Sequence, residues 1–254
     1  MKIAIIQSNL TWENPEANRK NFEDKMLSII EAIDIILLPE MFTTGFTMNP
    51  KNIAEQITGE SVQWMESMAK KFNAAICGSL VIIDEGSFYN RLLFVMPSGE
   101  IKHYNKKHLF TLAGEDKIYQ PGNEKVIIEY KGLRICPQIC YDLRFPAFSR
   151  NLEDFDLLLY VANWPKPRIN AWDVLLKARA IENMCFVIGV NRIGEDNNQH
   201  QYVGHSQAVN YLGEYLVEPI EDEGIFVATL DKERLLETRN KLGFLKDRDK
   251  FTVS

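Results

Sequence analysis

The sequence has no long apolar run, and this absence argues against a membrane-spanning helix. A spanning helix needs roughly 18 or more consecutive apolar residues, and no stretch of the 254 residues approaches that length. The first apolar run, Ile3 to Ile6, begins two residues after Met1, which leaves no room for the charged and apolar regions of a secretory signal. We therefore expect a cytoplasmic protein with no membrane partner.

Basic residues are also too few for a nucleic-acid-binding protein. The chain has 29 Lys and Arg against 35 Asp and Glu, a formal net charge of −6 and a pI near 5.4. The lysine clusters are only pairs, such as Lys70-Lys71 and Lys106-Lys107. Phosphate backbones are bound by extended basic surfaces. We therefore expect no nucleic-acid partner.

The motifs that hold metals and common cofactors are missing as well. The four histidines show no HExxH spacing, and the four cysteines show no paired CxxC motifs. The first apolar run is not followed by GxGxxG, and no Walker loop is present. We expect neither a metal nor a cofactor.

Cysteine is scarce, and one of the four differs from the others in its setting. Cys77, Cys136 and Cys185 lie within apolar runs, which indicates core thiols. Cys140 instead closes the apolar run 133–139 and precedes the polar turn Tyr141 to Pro146. A thiol at a strand end, beside free backbone N–H groups, can act as a nucleophile, whereas a lone cysteine more often only packs.

Two other segments also place ionisable groups where apolar runs end. Asp34 to Pro39 is typical of a buried strand and ends on Glu40, and Tyr104 to Phe110 places Lys106 and Lys107 beside apolar residues. Each group alone could be a cap or a solvated charge. Together they supply a base for a thiol and a cation for an oxyanion.

These segments resemble the nitrilase, or carbon–nitrogen hydrolase, superfamily. The likeness runs from Met1 to about Phe251 and rests on Leu38-Pro39-Glu40, on the Tyr-x-Lys-x-His-Leu-Phe segment 104–110 and on Cys140 to Pro146. It implies that Glu40, Lys106 and Cys140 are catalytic, and it selects Lys106 over Lys107. A second glutamate that orients the lysine would be Glu115, although Asp116 is adjacent.

Within that superfamily the chain is similar to the ω-amidase branch. The similarity rests on segments Pro39 to Met48, Ala162 to Arg168 and Trp172 to Asn183. It implies hydrolysis of the terminal amide of 2-oxo dicarboxylic acid monoamides, such as 2-oxoglutaramate and 2-oxosuccinamate, to the 2-oxo acid and ammonia. Phe148 stands where relatives lead us to expect tryptophan, which we interpret as a packing variant.

The resemblance also suggests how such a substrate is held. A cysteine thioester would form on Cys140, and the backbone N–H of Tyr141 would help Lys106 to bind the oxyanion. The remaining substrate carboxylate calls for a cation, for which Arg144 and Arg168 are the candidates. Arg144 could equally be a structural partner of Asp142 or of the turn itself. The aromatic walls of the pocket would be Phe42 and Trp164.

The apolar pattern predicts an α/β protein with mixed sheets and outer helices. Strands are predicted at 2–8, 34–39, 74–83, 90–96, 125–129, 133–139, 156–162, 185–191, 206–211 and 224–230. Helices are predicted at 16–32, 60–72, 168–183 and 231–239, where Trp172 could simply belong to the packing face of its helix. The resemblance sharpens this prediction to a four-layer α-β-β-α sandwich with two mixed sheets face to face.

Length and composition fit one domain over 1–254, with 241–254 as a tail that could pack on a partner subunit of a homodimer.

Two other functions stay open at this point. One is another amide-class hydrolase, such as a carbamoylase or an aliphatic amidase, with nitrile hydrolysis a further member. The other is a catalytically idle binding module or scaffold, against which the intact Glu40, Lys106 and Cys140 argue.

Overall fold

The structure, a computed structural model that describes residues 1–252, is built on two six-stranded sheets. Its strands are β1 (Lys2–Gln7), β2 (Ile35–Leu37), β3 (Ala75–Asp84), β4 (Ser87–Val95), β5 (Ile101–Asn105), β6 (Ile128–Tyr130), β7 (Leu133–Ile139), β8 (Leu157–Ala162), β9 (Phe186–Asn191), β10 (Ile193–Glu195), β11 (Gln201–Val203), β12 (Ser206–Val209), β13 (Tyr215–Ile220) and β14 (Gly224–Thr229). The first sheet has the order β14-β1-β2-β3-β4-β5 and the second β13-β12-β9-β8-β7-β6, while β10 and β11 form a separate hairpin.

Helices cover the outer faces of both sheets. The α-helices are α1 (Pro15–Leu27), α2 (Glu60–Phe72), α3 (Pro146–Ser149), α4 (Ile169–Asn183) and α5 (Lys232–Leu242). Short 3-10 helices occupy Pro50–Asn52, Thr111–Ala113, Glu115–Lys117, Cys140–Arg144, Lys166–Arg168 and Phe244–Asp247.

Three apolar layers hold these elements together. Between the sheets, alternate residues of the central strands, such as Leu37 and Ile135, form one buried cluster. Outside the first sheet α1 and α2 bury Phe22 and Met65, and outside the second sheet α4 buries Trp172. Because each sheet is apolar on both faces, it needs a layer on each side. The predicted four-layer α-β-β-α sandwich is therefore confirmed.

Helix α4 approaches its sheet closely because of one glycine. A Cβ atom on Gly189 of β9 would lie 2.5 Å from Trp172 Cζ2 and 2.6 Å from Leu176 Cδ1. Such contacts are closer than van der Waals packing permits, so a side chain here would displace the helix. Trp172 is 0% exposed, so it belongs to the packing face of its helix, as the simpler of the two interpretations held.

The strand directions bring several chain segments to one edge of the sandwich. Strands β1, β2 and β3 run parallel, and two antiparallel pairings make β5 run in the same direction as β3. In the second sheet β7, β8 and β9 are parallel to one another. The residues that follow β2, β5, β7 and β8 therefore emerge at carboxyl ends, where α/β proteins commonly place ligands.

Most of the predicted elements are present, and the differences lie at edges and turns. Helix α1 stops at Leu27 instead of residue 32, because the N–H and Oγ of Ser28 both bond to the carbonyl of Lys25 and close the last turn. Strands β5 and β13 were not predicted, and neither was the β10–β11 hairpin. Among the described residues, none of the helices is both long and apolar enough to cross a membrane.

The predicted tail is only partly described. After α5, the chain forms a 3-10 helix at Phe244–Asp247, and Leu245 packs against the core between the sheets. Arg248 pairs with Asp154 at 2.7 Å. The last two residues of the predicted 241–254 tail lie outside the described part of the chain.

Candidate active site

A cavity of about 640 Å³ opens at the carboxyl edge of the two sheets. Glu40, Lys106 and Cys140 lie together at its floor, although they are separated by up to a hundred positions in the sequence. Each follows a strand directly or within three residues: Glu40 follows β2, Lys106 follows β5 and Cys140 follows β7. The fold thus gathers three of the residues that the sequence singled out.

Glu40 is fully buried and held at both carboxylate oxygens. Its Oε1 accepts hydrogen bonds from Lys106 Nζ at 2.9 Å and from Asn90 Nδ2 at 2.8 Å. Its Oε2 accepts the backbone N–H of Asn163 at 2.8 Å. A buried carboxylate is tolerated when its lone pairs are matched in this way.

Lys106 lies between two carboxylates and bridges them. Its Nζ donates to Glu40 Oε1 and to both oxygens of Glu115, at 3.0 and 2.9 Å. Burial alone would lower the pKa of Lys106, but the carboxylates of Glu115 and Glu40 outweigh it and raise that pKa. Lys106 therefore stays charged, whereas Lys107 is only half-buried and has no place in this cluster.

Glu115, the candidate for the second glutamate, is buried beside Lys106, whereas its neighbour Asp116 is exposed. The Oε2 of Glu115 accepts the backbone N–H of Phe110 at 2.6 Å in addition to the Lys106 ammonium. Burial raises the pKa of Glu115; the charge of Lys106 lowers it and that of Glu40 raises it further. One ammonium thus forms ion pairs with two carboxylates, and all three groups are buried from solvent.

Cys140 begins a 3-10 helix with a backbone φ of +44°. Non-glycine residues seldom adopt this left-handed conformation, and they concentrate at functional sites. Cys140 is half-buried and lines the cavity, and desolvation by the surrounding protein raises the pKa of its thiol well above its ordinary value. The charge of Glu40 raises it further, while Lys106 lowers it. The side chain of Cys140 is therefore a neutral thiol near neutral pH, and its ionisation would require a base.

The turn after Cys140 leaves the backbone N–H of Tyr141 outside the helical hydrogen bonds. In the 3-10 helix Cys140–Arg144 the carbonyl of the N-cap Ile139 is the first acceptor, so the first N–H bonded is that of Asp142 and the N–H of Tyr141 comes before it. Tyr141 also lines the cavity. An oxyanion formed beside Cys140 could be met by this N–H and by the Lys106 ammonium.

The cavity wall contains two arginines and a tryptophan that were predicted from the sequence to bind the substrate. Trp164 is 3% exposed and carries the guanidinium of Arg144 over its ring at 4.9 Å, while Arg168 lies over the ring of Phe110 at 5.1 Å. Within residues 1–252 neither guanidinium takes part in an ion pair or in a side-chain hydrogen bond. Arg144 therefore does not pair with Asp142, the alternative considered for it.

Phe42 is not a wall of this cavity, so that prediction is wrong. Its ring is 0% exposed and packs edge-on against Phe22 outside the first sheet. Because the chain turns sharply at Met41, where φ is +43°, Phe42 points back into the core. Phe46 lines the cavity where Phe42 was expected, and its ring centroid lies 5.1 Å from Lys106 Nζ.

Two asparagines of the site were missed by sequence reasoning. Asn90 on β4 is 0% exposed and donates to Glu40 and, at 3.3 Å, to Glu115. Asn163 follows β8 and binds Glu40 through both backbone and side chain. Asn163 lies in the segment 162–168 that carried the resemblance, so that segment was its only signal.

Among the described residues, no group of three or more His, Cys, Asp or Glu side chains is arranged to hold a metal ion.

A four-layer sandwich with buried Glu, Lys and Cys side chains on one cavity floor belongs to the class of cysteine-dependent hydrolases that act on amides. The family model for carbon-nitrogen hydrolases matches residues 2–240. The chain is a member of the carbon–nitrogen hydrolase family, which confirms the predicted place in the nitrilase superfamily.

Similar proteins cover the whole chain. An omega-amidase of Yersinia enterocolitica is 44% identical over 100% of this chain and 98% of its own length. A 2-oxoglutaramate amidase of Bacillus subtilis is 32% identical over 96% of each chain. The crystal structure of a CN-hydrolase superfamily protein from Xanthomonas campestris, with an arsenic adduct in its active site, superposes with a TM-score of 0.97 at 40% identity. It covers 100% of this chain and 99% of that one.

Proposed function

We propose that the protein is an ω-amidase that hydrolyses the terminal amide of 2-oxo dicarboxylic acid monoamides. The observation that carries the proposal is the pair of guanidiniums of Arg144 and Arg168, which line the same cavity as Cys140 without an anionic partner among residues 1–252. An amide that also bears a carboxylate fits such a cavity. The names of the similar omega-amidase and 2-oxoglutaramate amidase support the same substrate class.

The reaction begins with transfer of the Cys140 proton to Glu40. The thiolate attacks the amide carbon, and the C–S bond forms as the carbonyl becomes an oxyanion. Lys106 and the N–H of Tyr141 stabilise that oxyanion. Protonated Glu40 then returns its proton to the amide nitrogen, the C–N bond breaks and ammonia leaves, so that a thioester remains on Cys140.

The second half releases the acid. Glu40 takes a proton from water, the hydroxide attacks the thioester carbon, and the C–S bond breaks as the tetrahedral intermediate collapses. The thiolate regains its proton from Glu40. Glu115 does not exchange protons in this scheme, because its contacts are to the Lys106 ammonium and the Phe110 N–H; it holds the ammonium in place.

Substrate orientation follows from the positions of the charges. The reacting amide must lie on Cys140 at the floor, and the far carboxylate then reaches towards Arg144 and Arg168 on the wall. Trp164 and Phe110 keep these guanidiniums in place by ring contacts, which leaves their N–H groups for the substrate. Apart from the substrate and one water molecule, the proposed steps use only side chains and backbone of this chain.

The experiment that tests this function is ammonia release from a panel of substrates. The panel contains 2-oxoglutaramate and 2-oxosuccinamate, with glutamine, a carbamoyl amino acid, a neutral aliphatic amide and a nitrile beside them, and Cys140→Ala is the control. We expect turnover of the 2-oxo amides by the wild type and none by the variant. Turnover of another panel member alone would support the enzyme class but contradict the proposed substrate. No turnover of any member would favour a binding module.

We further propose a cytoplasmic homodimer built from one domain per chain. The support for self-association is an exposed apolar surface on α4 and the turn after β12, where Ile181 lies against Gly213; Val174, Ile181 and Leu212 there are 49–57% exposed. Soluble monomers seldom leave such patches uncovered. Sedimentation of the wild type and of Ile181→Glu tests it: a dimer that dissociates in the variant supports the proposal, and a monomeric wild type contradicts it.

A further inference from the structure

We propose that Asp142 is a positioning residue that fixes the Lys106 ammonium relative to the Cys140 thiol. The proposal rests on the roles given above to Lys106 and Cys140. Asp142 lies two residues after Cys140, is 0% exposed and does not line the cavity. It therefore acts through its neighbours and not on the substrate.

The two residues that flank Lys106 both bind Asp142. Tyr104, two positions before the lysine, donates its hydroxyl to Asp142 Oδ2 at 2.8 Å. His108, two positions after it, contacts Asp142 Oδ1 through its backbone N–H at 2.9 Å and through its ring Nδ1 at 2.8 Å. The lysine segment is thus held on both sides by one carboxylate that belongs to the cysteine turn.

The same carboxylate also holds the strand that delivers the nucleophile. Asp142 Oδ2 accepts the backbone N–H of Ile139, the last residue of β7, at 2.9 Å. The ring of His108 stacks on that of Phe145 with centroids 3.6 Å apart, which adds a second contact between the two segments. A shift of Asp142 would therefore move Cys140 and Lys106 relative to each other.

Only a carboxylate can satisfy this set of donors. Each of its oxygens accepts one backbone N–H, from His108 at Oδ1 and from Ile139 at Oδ2. In Asp142→Asn the side-chain NH₂ must face one of these two N–H groups, whichever way the amide is turned. A backbone donor is then left unpaired in a buried place, and the segment that carries it must move.

The test compares Asp142→Asn with the wild type. Misplacement of catalytic groups by about 1 Å costs on the order of 100-fold in rate, so we expect kcat to fall by about that factor while KM changes less than about threefold. A second variant, Tyr104→Phe, removes one hydroxyl, which donates to Asp142 and accepts the backbone N–H of Lys107 at 3.1 Å, and it keeps both backbone contacts of Asp142. It therefore decides the matter if Asp142→Asn does not fold. We expect its kcat to fall by about tenfold.

Asp156→Asn is the matched control for loss of a buried carboxylate. Asp156 is 2% exposed and also accepts a backbone N–H, from Arg134 at 3.0 Å, but it lies away from the cavity. We expect this variant to lose melting temperature and to keep kcat. If Asp142→Asn likewise lost stability alone, or if Tyr104→Phe kept wild-type kcat when Asp142→Asn did not fold, Asp142 would be structural only and the proposal would be overturned.

A readout without any amide substrate separates this proposal from the substrate assignment. The pH dependence of Cys140 alkylation by iodoacetamide reports on the charges around the thiol. Because Lys106 lowers the pKa of Cys140, its displacement should move the midpoint of alkylation to higher pH in Tyr104→Phe, which removes no charge. In Asp142→Asn the loss of a nearby negative charge shifts the midpoint the other way, so this readout uses Tyr104→Phe. An unchanged midpoint in Tyr104→Phe would overturn the positioning role, whatever amide the wild type hydrolyses.

Discussion

Asn163 and Glu40 are joined by two hydrogen bonds across the boundary between the two sheets. The backbone N–H of Asn163 donates to Glu40 Oε2 at 2.8 Å, and its side-chain Nδ2 donates to the main-chain carbonyl of Glu40 at 2.6 Å. Glu40 follows β2 of the first sheet, and Asn163 follows β8 of the second. The orientation of the carboxylate is therefore set by how the sheets pack.

Asn163→Ala removes one of these two contacts and keeps the other. The carbonyl of Glu40 then lacks a partner, which costs about 1–3 kcal/mol, and the carboxylate is held less firmly. We expect a lower melting temperature and a kcat reduced by about tenfold, with KM little changed. Steady-state kinetics and thermal unfolding measure both quantities. Asn210→Ala, in the turn after β12, is the control; equal kinetics of the two variants would show that the Asn163 contact does not orient Glu40.

Glu40→Gln separates the acidity of the thiol from catalysis. The negative charge of Glu40 raises the pKa of Cys140, so its removal should lower that pKa and move the midpoint of iodoacetamide alkylation to lower pH. Turnover should nevertheless stop, because the base is lost. Circular dichroism should show a folded protein. More than about a tenth of wild-type turnover in this variant would mean that Glu40 is not the base.

Arg168→Met and Arg144→Met test how the substrate carboxylate is bound. A charge-assisted hydrogen bond contributes roughly 1.5–3 kcal/mol, so we expect KM for 2-oxoglutaramate to rise by about 10- to 100-fold in at least one variant. KM for a neutral aliphatic amide should hardly change. Lys166→Met, an exposed neighbour outside the cavity, is the control. An arginine whose loss leaves KM for the anionic amide unaltered does not bind its carboxylate.

Lys106→Met should make stability fall as the pH rises. Burial and the charge of Glu40 already raise the pKa of Glu115, and loss of the ammonium raises it further. The folded chain then binds this proton more tightly than the unfolded chain. Folding is thus favoured below the ordinary value near 4.5 and is weakened as the pH rises through the folded-state pKa. Thermal unfolding from about pH 5 to 8 should show a growing deficit against the wild type. Lys107→Met serves as control, and a constant deficit would contradict this charge balance.

The proposed catalytic residues, which the structure brings together, could be predicted from sequence because each lies in its own short characteristic segment. Glu40 and Cys140 follow apolar runs, and strands of one direction bring such ends to one edge. Lys106 was indicated by the segment 104–110, in which it lies beside apolar residues. Asn90 has no such signal, since it lies inside a strand and its role depends on the contact between β4 and β5. Phe42 was misplaced because the sharp turn at Met41 reverses the direction of its side chain, which no local pattern shows.

The missed strands have a similar cause. Both β5 and β13 lie at sheet edges, and most of their residues are exposed or half-buried. Neither strand therefore has a continuous apolar run. A search for apolar runs finds strands covered on both faces and passes over edges such as these. Because β5 leads directly to Lys106, the position of the ammonium depends on a strand that only the folded sheet reveals.

The most direct test is to look for the covalent intermediate on Cys140. Wild-type protein mixed with 2-oxoglutaramate and quenched in acid within a turnover should carry an acyl group on Cys140, located by intact-mass and peptide analysis. Its formation should coincide with release of one equivalent of ammonia. Turnover without any adduct, or an acyl group on another residue, would contradict the mechanism proposed for this site.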